Sequence, residues 1–119
     1  MRIILIALIL GLSVCGTQSA YAEKVSWYGN ESIVPKWKGY TASGERFNEQ
    51  AMTCASYSRH DLGRWFKVSY LGKSVLVRCN DTGSFRKYGR RLDLSKGAFS
   101  RLASLRKGII DVKIERMAT

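Results

Sequence analysis

The residue of this chain best placed to do chemistry is Asp81. It follows Val75-Leu76-Val77-Arg78-Cys79, a run with the two-residue period of a strand. Val75, Val77 and Cys79 share one face, and Leu76 and Arg78 the other. Asn80-Asp81-Thr82-Gly83 then carries strong turn chemistry, so the strand is expected to break there. An acid where a buried strand opens into a loop stands on rigid scaffold yet reaches solvent, a common setting for a catalytic group. The plain alternative is that Asp81 only caps its own turn. Glu45, in Thr41-Ala42-Ser43-Gly44-Glu45-Arg46-Phe47, is the second candidate carboxylate; its alternative is a surface turn residue. Asp93 reads as structural, because Asp-x-Ser before a helix is capping grammar and Ser95 is a suitable N-cap. His60 is the only histidine; it either folds back toward the acids or lies on the surface.

Other chemistries find little support. One histidine and two cysteines build no convincing metal site, and no metal or other cofactor is expected. No Ser-His-Asp or Cys-His arrangement is readable. Cys54 and Cys79 form an even pair downstream of Cys15. In an oxidising compartment they suggest one disulfide, which typically contributes about 2–4 kcal/mol. The alternative is two buried free thiols on neighbouring strands.

The elements that must position these residues are mostly short strands. Lys24 to Gly29 reads as the first, with Val25 and Trp27 on one face. Trp27 and Tyr28 are half core, half groove wall. Asn30 to Tyr40 is a loop with Trp37 between two lysines, a further aromatic that suits a sugar ring. A short helical piece is expected after the Thr41–Phe47 turn, through Met52. Met52 to Tyr57 is the second strand and Ser58 to Gly63 a loop. Arg64 to Tyr70 and Lys73 to Cys79 form a hairpin around Leu71-Gly72. Phe85 to Arg91 is a basic loop. A helix capped by Ser95 is expected through about Leu105, with Ala98, Phe99, Leu102 and Leu105 on one face. Ile110, Val112 and Ile114 alternate with charged residues in a closing strand. Such a set of strands suits a closed barrel, which leaves no free sheet edge.

The chain has 119 residues, the size of one small domain. Arg2, the apolar run Ile3 to Leu12 and Ala20-Tyr21-Ala22 read as a secretory signal peptide over residues 1–22, leaving a domain over 23–119. The run is too short to span a bilayer, and no transmembrane segment is expected. Val14 is a poor neighbour for a lipidated Cys15, so cleavage near Ala22 and a periplasmic or secreted location are expected. Without residues 1–22 the net charge is +10. Apart from Arg86-Lys87 and Arg90-Arg91 the basic residues are scattered. A secreted chain meets little nucleic acid; an anionic wall polymer is the more accessible partner.

Six blocks in order resemble the rare lipoprotein A (RlpA-like) family. They are Val25-Ser26-Trp27-Tyr28-Gly29, Thr41 to Phe47, Thr53-Cys54-Ala55-Ser56, Phe66-Lys67-Val68, Asn80 to Phe85 and Asp93-Leu94-Ser95. The resemblance implies a mainly β fold, a six-stranded double-psi β-barrel with one or two short helices. It implies a peptidoglycan lytic transglycosylase that leaves 1,6-anhydro-MurNAc ends, with a preference for glycan stripped of stem peptides. Asp81 would be the acid and then the base, Glu45 a second carboxylate, and His60 a further candidate. Ser43, Ser56, Asn80, Trp27, Tyr28 and Trp37 would face substrate. Peptidoglycan is the implied partner, and a monomer is expected.

The chain departs from the family pattern near these residues. Ser56 stands at the family's histidine, Thr82 and Ser84 replace an arginine and a proline after Asp81, and Asp61 replaces another proline. Loss of the arginine removes a fixed cation that would orient a carboxylate or substrate. A second reading therefore stands beside the first: a non-catalytic, expansin-like module of the same fold that binds or loosens wall glycan. A water-using glycosidase and a barwin-like defence protein are weaker alternatives.

Overall fold

The computed structural model describes residues 22–33, 35 and 38–118. The apolar run of the expected signal peptide, Cys15 and Trp37 lie outside the described residues. Among those described, no helix is long and apolar enough to cross a membrane.

Six strands close into a barrel: β1 (Glu23–Tyr28), β2 (Thr53–Ser56), β3 (Trp65–Tyr70), β4 (Lys73–Thr82), β5 (Arg90–Ser95) and β6 (Ile110–Arg116). Around the barrel the order is β1-β5-β2-β4-β3-β6, with β6 pairing back to β1. β1 runs parallel to β5 and β2 parallel to β4; the other pairs are antiparallel. The inward-facing alternates fill the interior. Val25, Phe66, Val68, Val77, Leu92, Leu94 and Val112 are all fully or almost fully buried. The α-helix of the described residues, α1 (Lys96–Ser100), packs on β5 and β1 and adds Ala98 and Phe99 to this core. This is the expected mainly β barrel.

Several local expectations are corrected. The strand carrying Asp81 does not break at Asn80 but pairs with β2 as far as Thr82. Residues Arg90–Ser95, expected as a loop and a cap, form β5, because Leu92 and Leu94 alternate into the core. Asp93 is thus a mid-strand residue. Ser95 does cap the helix, accepting the Ala98 N–H at 3.1 Å, but the helix has only five residues instead of reaching Leu105. Ser100 turns its hydroxyl back onto the Gly97 carbonyl, and Ser104 captures the Arg106 N–H to start a separate turn at Leu105–Lys107. Serines that bond the nearby backbone in this way compete with helix propagation. No helix forms between Thr41 and Met52, where the Asn48 side chain accepts the Gln50 N–H.

Two turns fix the frame. Leu71 and Gly72 both have positive φ, 45° and 84°, the signature of the tight hairpin that joins β3 to β4. Gly97 lies so close to the Gln50 backbone that a Cβ there would stand 2.8 Å from it. With the Gly97 N–H bonded to the Glu49 carbonyl, this approach ties the 48–52 loop to α1.

Candidate functional site

The end of β4 aims the acid. Cys79 pairs with Cys54, yet Asp81 rather than Asn80 pairs with Ala55, so β4 carries one extra residue at this point. Along β4, Val75, Val77 and Cys79 point inward, and strict alternation would send Asp81 inward too. The extra residue reverses the alternation and turns Asp81 out of the core, a common use of an irregularity beside a site.

A second segment closes over this strand end. Tyr40 and Arg46 form an isolated bridge, and the Thr41 N–H bonds to the Glu45 carbonyl at 2.7 Å. The Ser43 N–H reaches the Asn80 carbonyl at 3.1 Å, pinning the loop to β4. Asp81 Oδ1 accepts the backbone N–H of Ala42 at 3.0 Å and of Thr82 at 2.9 Å. Both bonds fall on one oxygen, and Oδ2 has no hydrogen-bond partner among the described residues. A cleft of about 490 Å³ lies here, lined among others by Tyr28, Tyr40, Thr41, Phe47, Arg59 and Asp81. The Tyr28 and Phe47 rings stack with centroids 4.8 Å apart. The Tyr28 hydroxyl is buried without a hydrogen-bond partner among the described residues. Burial pushes its pKa far up, and the negative charge of Asp81 adds to this.

Glu45 belongs to a different constellation. Arg78, on the outward face of β4, grips it through two bonds of 2.7 Å, Nη1 to Oε1 and Nη2 to Oε2. This fork, helped by the Ser43 hydroxyl at 3.0 Å, holds the Glu45 carboxyl down at about 2 against an ordinary 4.5. Glu45 is not among the residues lining the cleft.

The remaining expected site residues divide. Tyr28 lines the cleft. Trp27 instead packs on the core and donates its indole N–H to the Leu105 carbonyl at 3.1 Å. Ser43 is exposed, with its hydroxyl committed to Thr41 and Glu45. Asn80 is buried and supplies the carbonyl that holds the Ser43 amide. Ser56 has no exposed surface; it hydrogen-bonds Asp61, and Arg91 Nη1 reaches both. His60 is exposed in the turn Arg59–Asp61, and it is Arg59 that faces the cleft. Asp93 accepts the Ser26 hydroxyl and pairs with Arg90 at 3.2 Å; burial raises its pKa, opposed by these two partners.

Cys54 and Cys79 stand opposite each other, both buried, as free thiols instead of the expected disulfide. The thiols interact instead: that contact raises the Cys54 pKa and lowers that of Cys79, whose Sγ also donates to the Asp81 carbonyl at 3.5 Å.

Arg78, Arg59, Tyr40 and Phe47 were not singled out from the sequence. Phe47 and Arg78 stood in the quoted blocks, and the outward phase of Arg78 was readable from the alternation of β4. The position of Arg59 beside Asp81 depends on the path of a loop.

A closed barrel with two parallel strand pairs, carrying a carboxylate beside an aromatic cleft, defines a double-psi β-barrel domain. Residues 20–114 match the family described as "Lytic transglycolase". The chain is 40% identical over 102 residues to the "Probable endolytic peptidoglycan transglycosylase RlpA" of Nostoc sp., covering 81% of this chain and 27% of that protein. It is 37% identical over 95 residues to the "Endolytic peptidoglycan transglycosylase RlpA" of Neisseria meningitidis, covering 77% and 37%. The chain belongs to the RlpA-like family. It spans roughly a quarter to two fifths of the length of these relatives. Among solved structures it resembles the Streptomyces papain inhibitor (TM-score 0.64, 22% identity, 82% of this chain and 93% of that one). It also resembles a mutant Clavibacter michiganensis expansin in complex with cellohexaose (TM-score 0.63, 18% identity, 81% and 49%). Both likenesses are of fold.

Proposed function

We propose that this domain cleaves the MurNAc–GlcNAc bonds of peptidoglycan glycan strands by lytic transglycosylation, in the cell envelope after removal of its leader. The observation that carries this is Asp81: one carboxylate in an aromatic cleft, with Oδ1 fixed by two backbone amides and Oδ2 without a partner among the described residues. The names of the relatives support the same reaction. Protonated Asp81 gives its proton to the glycosidic oxygen as the bond to C1 breaks. The substrate's own 6-hydroxyl then attacks C1 and returns its proton to the Asp81 carboxylate. The product is a 1,6-anhydro sugar, no water is consumed, and the acid is regenerated. One carboxyl group suffices for both halves. Glu45, held ionised by Arg78, serves as an anchor for the loop whose Ala42 amide orients Asp81. The stacked Tyr28 and Phe47 form the wall for a sugar ring.

A second reading has its own support. Ser56, in place of the family's histidine, is buried away from the cleft, and Thr82 replaces the arginine beside Asp81. A cleft lacking both fits an expansin-like binding module. Mass spectrometry of products released from intact and amidase-stripped peptidoglycan separates the readings. Anhydromuramyl ends from the wild type but not from Asp81→Asn support the transglycosylase and its acid. Reducing ends carrying one added water indicate a hydrolase. No release by either protein, with both still pelleting with the wall, leaves the binding module. Greater release from stripped strands supports the preference for peptide-free glycan.

A further inference from the structure

A second recess, lined by Tyr57, Gly83, Ser84, Arg86 and Lys87, follows the cleft along the chain. The two are joined by the chain itself. Asp81 and Thr82 line the cleft, and Gly83 and Ser84 line the recess. Three residues span at most about 10 Å. We propose that this recess binds a carboxylate carried by the glycan's muramyl units. The proposal rests on the reading of the domain as acting on peptidoglycan, and names the charge it recognises there.

The recess is built for an anion. Two guanidinium groups lie over the Tyr57 ring, Arg91 at 5.1 Å and Arg86 at 5.2 Å from its centroid. Arg91 is spent: its Nη1 is held by Asp61 at 3.3 Å. Arg86 is oriented by the ring but has no carboxylate partner among the described residues, and the same holds for Lys87 and for Arg59 on the cleft wall. The floor is fixed as well. The Gly83 N–H bonds to the Ser56 carbonyl at 3.0 Å, and Phe85 is buried so close beneath Gly83 that a Cβ there would stand 2.8 Å from its ring. An aromatic face with a guanidinium stacked on it presents fork donors at low entropic cost, which suits a planar carboxylate. Every muramyl unit supplies one. A stripped strand offers the lactyl carboxylate, and an intact strand offers those of its stem peptide.

The test uses Asp81→Asn protein, so that ligands survive, and compares it with the same protein carrying Arg86→Gln and Lys87→Gln. Calorimetry at low and moderate salt measures three oligosaccharides of equal length: stripped GlcNAc-MurNAc, the same strand with stem peptides, and neutral GlcNAc-only chitin. The carboxylate strand is expected to bind about tenfold more tightly than chitin, with the gap closing in the double substitution and shrinking with salt. Chitin affinity stays unchanged, and melting curves check that the substituted protein is folded. Whichever muramyl strand loses affinity identifies the source of the carboxylate. Equal affinity for chitin and muramyl strands, or equal losses for both, overturns the proposal while leaving the transglycosylase reading in place. Displacement by poly(glycerol phosphate) at lower concentration than by the muramyl strand reassigns the recess to a phosphate polymer and overturns it too. If no glycan binds and the wild type releases no anhydromuramyl product, the underlying reading falls, and this one with it.

Discussion

Ser56 donates its hydroxyl to Asp61 Oδ2, and the two residues stand where the family pattern has a histidine and a proline. Both are buried, and Arg91 closes the group from β5 with Nη1 at 3.3 Å from each. The two departures from the pattern therefore compensate each other: the acid that replaces proline is satisfied by the hydroxyl that replaces histidine. Ser56→Ala would strip a buried carboxylate of one donor, and is expected to destabilise the fold by about 1–3 kcal/mol. Asp61→Asn, which loses the ion pair with Arg91, should cost a comparable amount. The double substitution should cost less than the sum, because the residues share one network. Urea unfolding of the three variants measures this; strict additivity would contradict the coupling.

Glu45 and Asp93 should pull the pH dependence of stability in opposite directions. The Arg78 fork lowers the folded-state pKa of Glu45 from 4.5 to about 2. Its contribution is thus present above pH 4.5 and lost as pH falls toward 2. The pair is partly exposed, so solvent screening limits it to about 1 kcal/mol or less. Asp93 has a raised folded-state pKa, chiefly through burial. Its contribution is full below its ordinary 3.8 and is lost as pH rises through the folded value. Glu45→Gln should flatten the loss of stability on acidification between pH 4.5 and 2, whereas Asp93→Asn should remove a gain on acidification that falls wholly above pH 3.8. Denaturant titrations across both ranges give the slopes, and matching slopes for the two variants would refute the assignment.

Tyr28→Phe should separate stability from function. The Tyr28 hydroxyl is buried without a partner among the described residues, and such a group costs about 1–3 kcal/mol. Removing it leaves the stack on Phe47 intact, so the melting temperature should hold or rise. Peptidoglycan release should persist, because the buried hydroxyl offers a sugar no surface and the stacked ring wall is retained. A lower melting temperature with unchanged release would show that the hydroxyl has a structural partner instead.

The barrel was legible because its strands advertise themselves by alternation: Val25, Val68, Val77 and Val112 are all at inward phases and all buried. β5 was the exception. Its leucines alternate, but Arg90, Arg91 and Asp93 make it look like a basic loop, and Asp93 and Arg91 meet Ser26 and Asp61 only once the barrel closes. The acid was also legible, as an Asp after an apolar strand. Its outward direction was not, because a one-residue shift against β2 leaves no mark in a single sequence. Glu45 was found for its block, but its grip on Arg78 spans 33 residues of chain and follows from the loop path, not from local spacing. Ser56 was read as facing substrate because its block borders the site, and its full burial places it in the interior instead; Trp27, read as half core, does pack partly buried against it.

The last prediction concerns the thiols. Cys54 and Cys79 face each other across the parallel β2–β4 pair, fully buried and unbonded. Cys79 stands two residues from Asp81, at the point where β4 carries its extra residue. Thiol-reactive dye should therefore find both groups silent in the folded domain spanning residues 23–119, and two thiols per chain after denaturation. Reducing agent should leave the melting temperature unchanged. A native disulfide would instead contribute about 2–4 kcal/mol, and its reduction would lower melting by many degrees in a domain of this size. Such a drop, with no thiols found on denaturation, would show the pair bonded and overturn the free-thiol state.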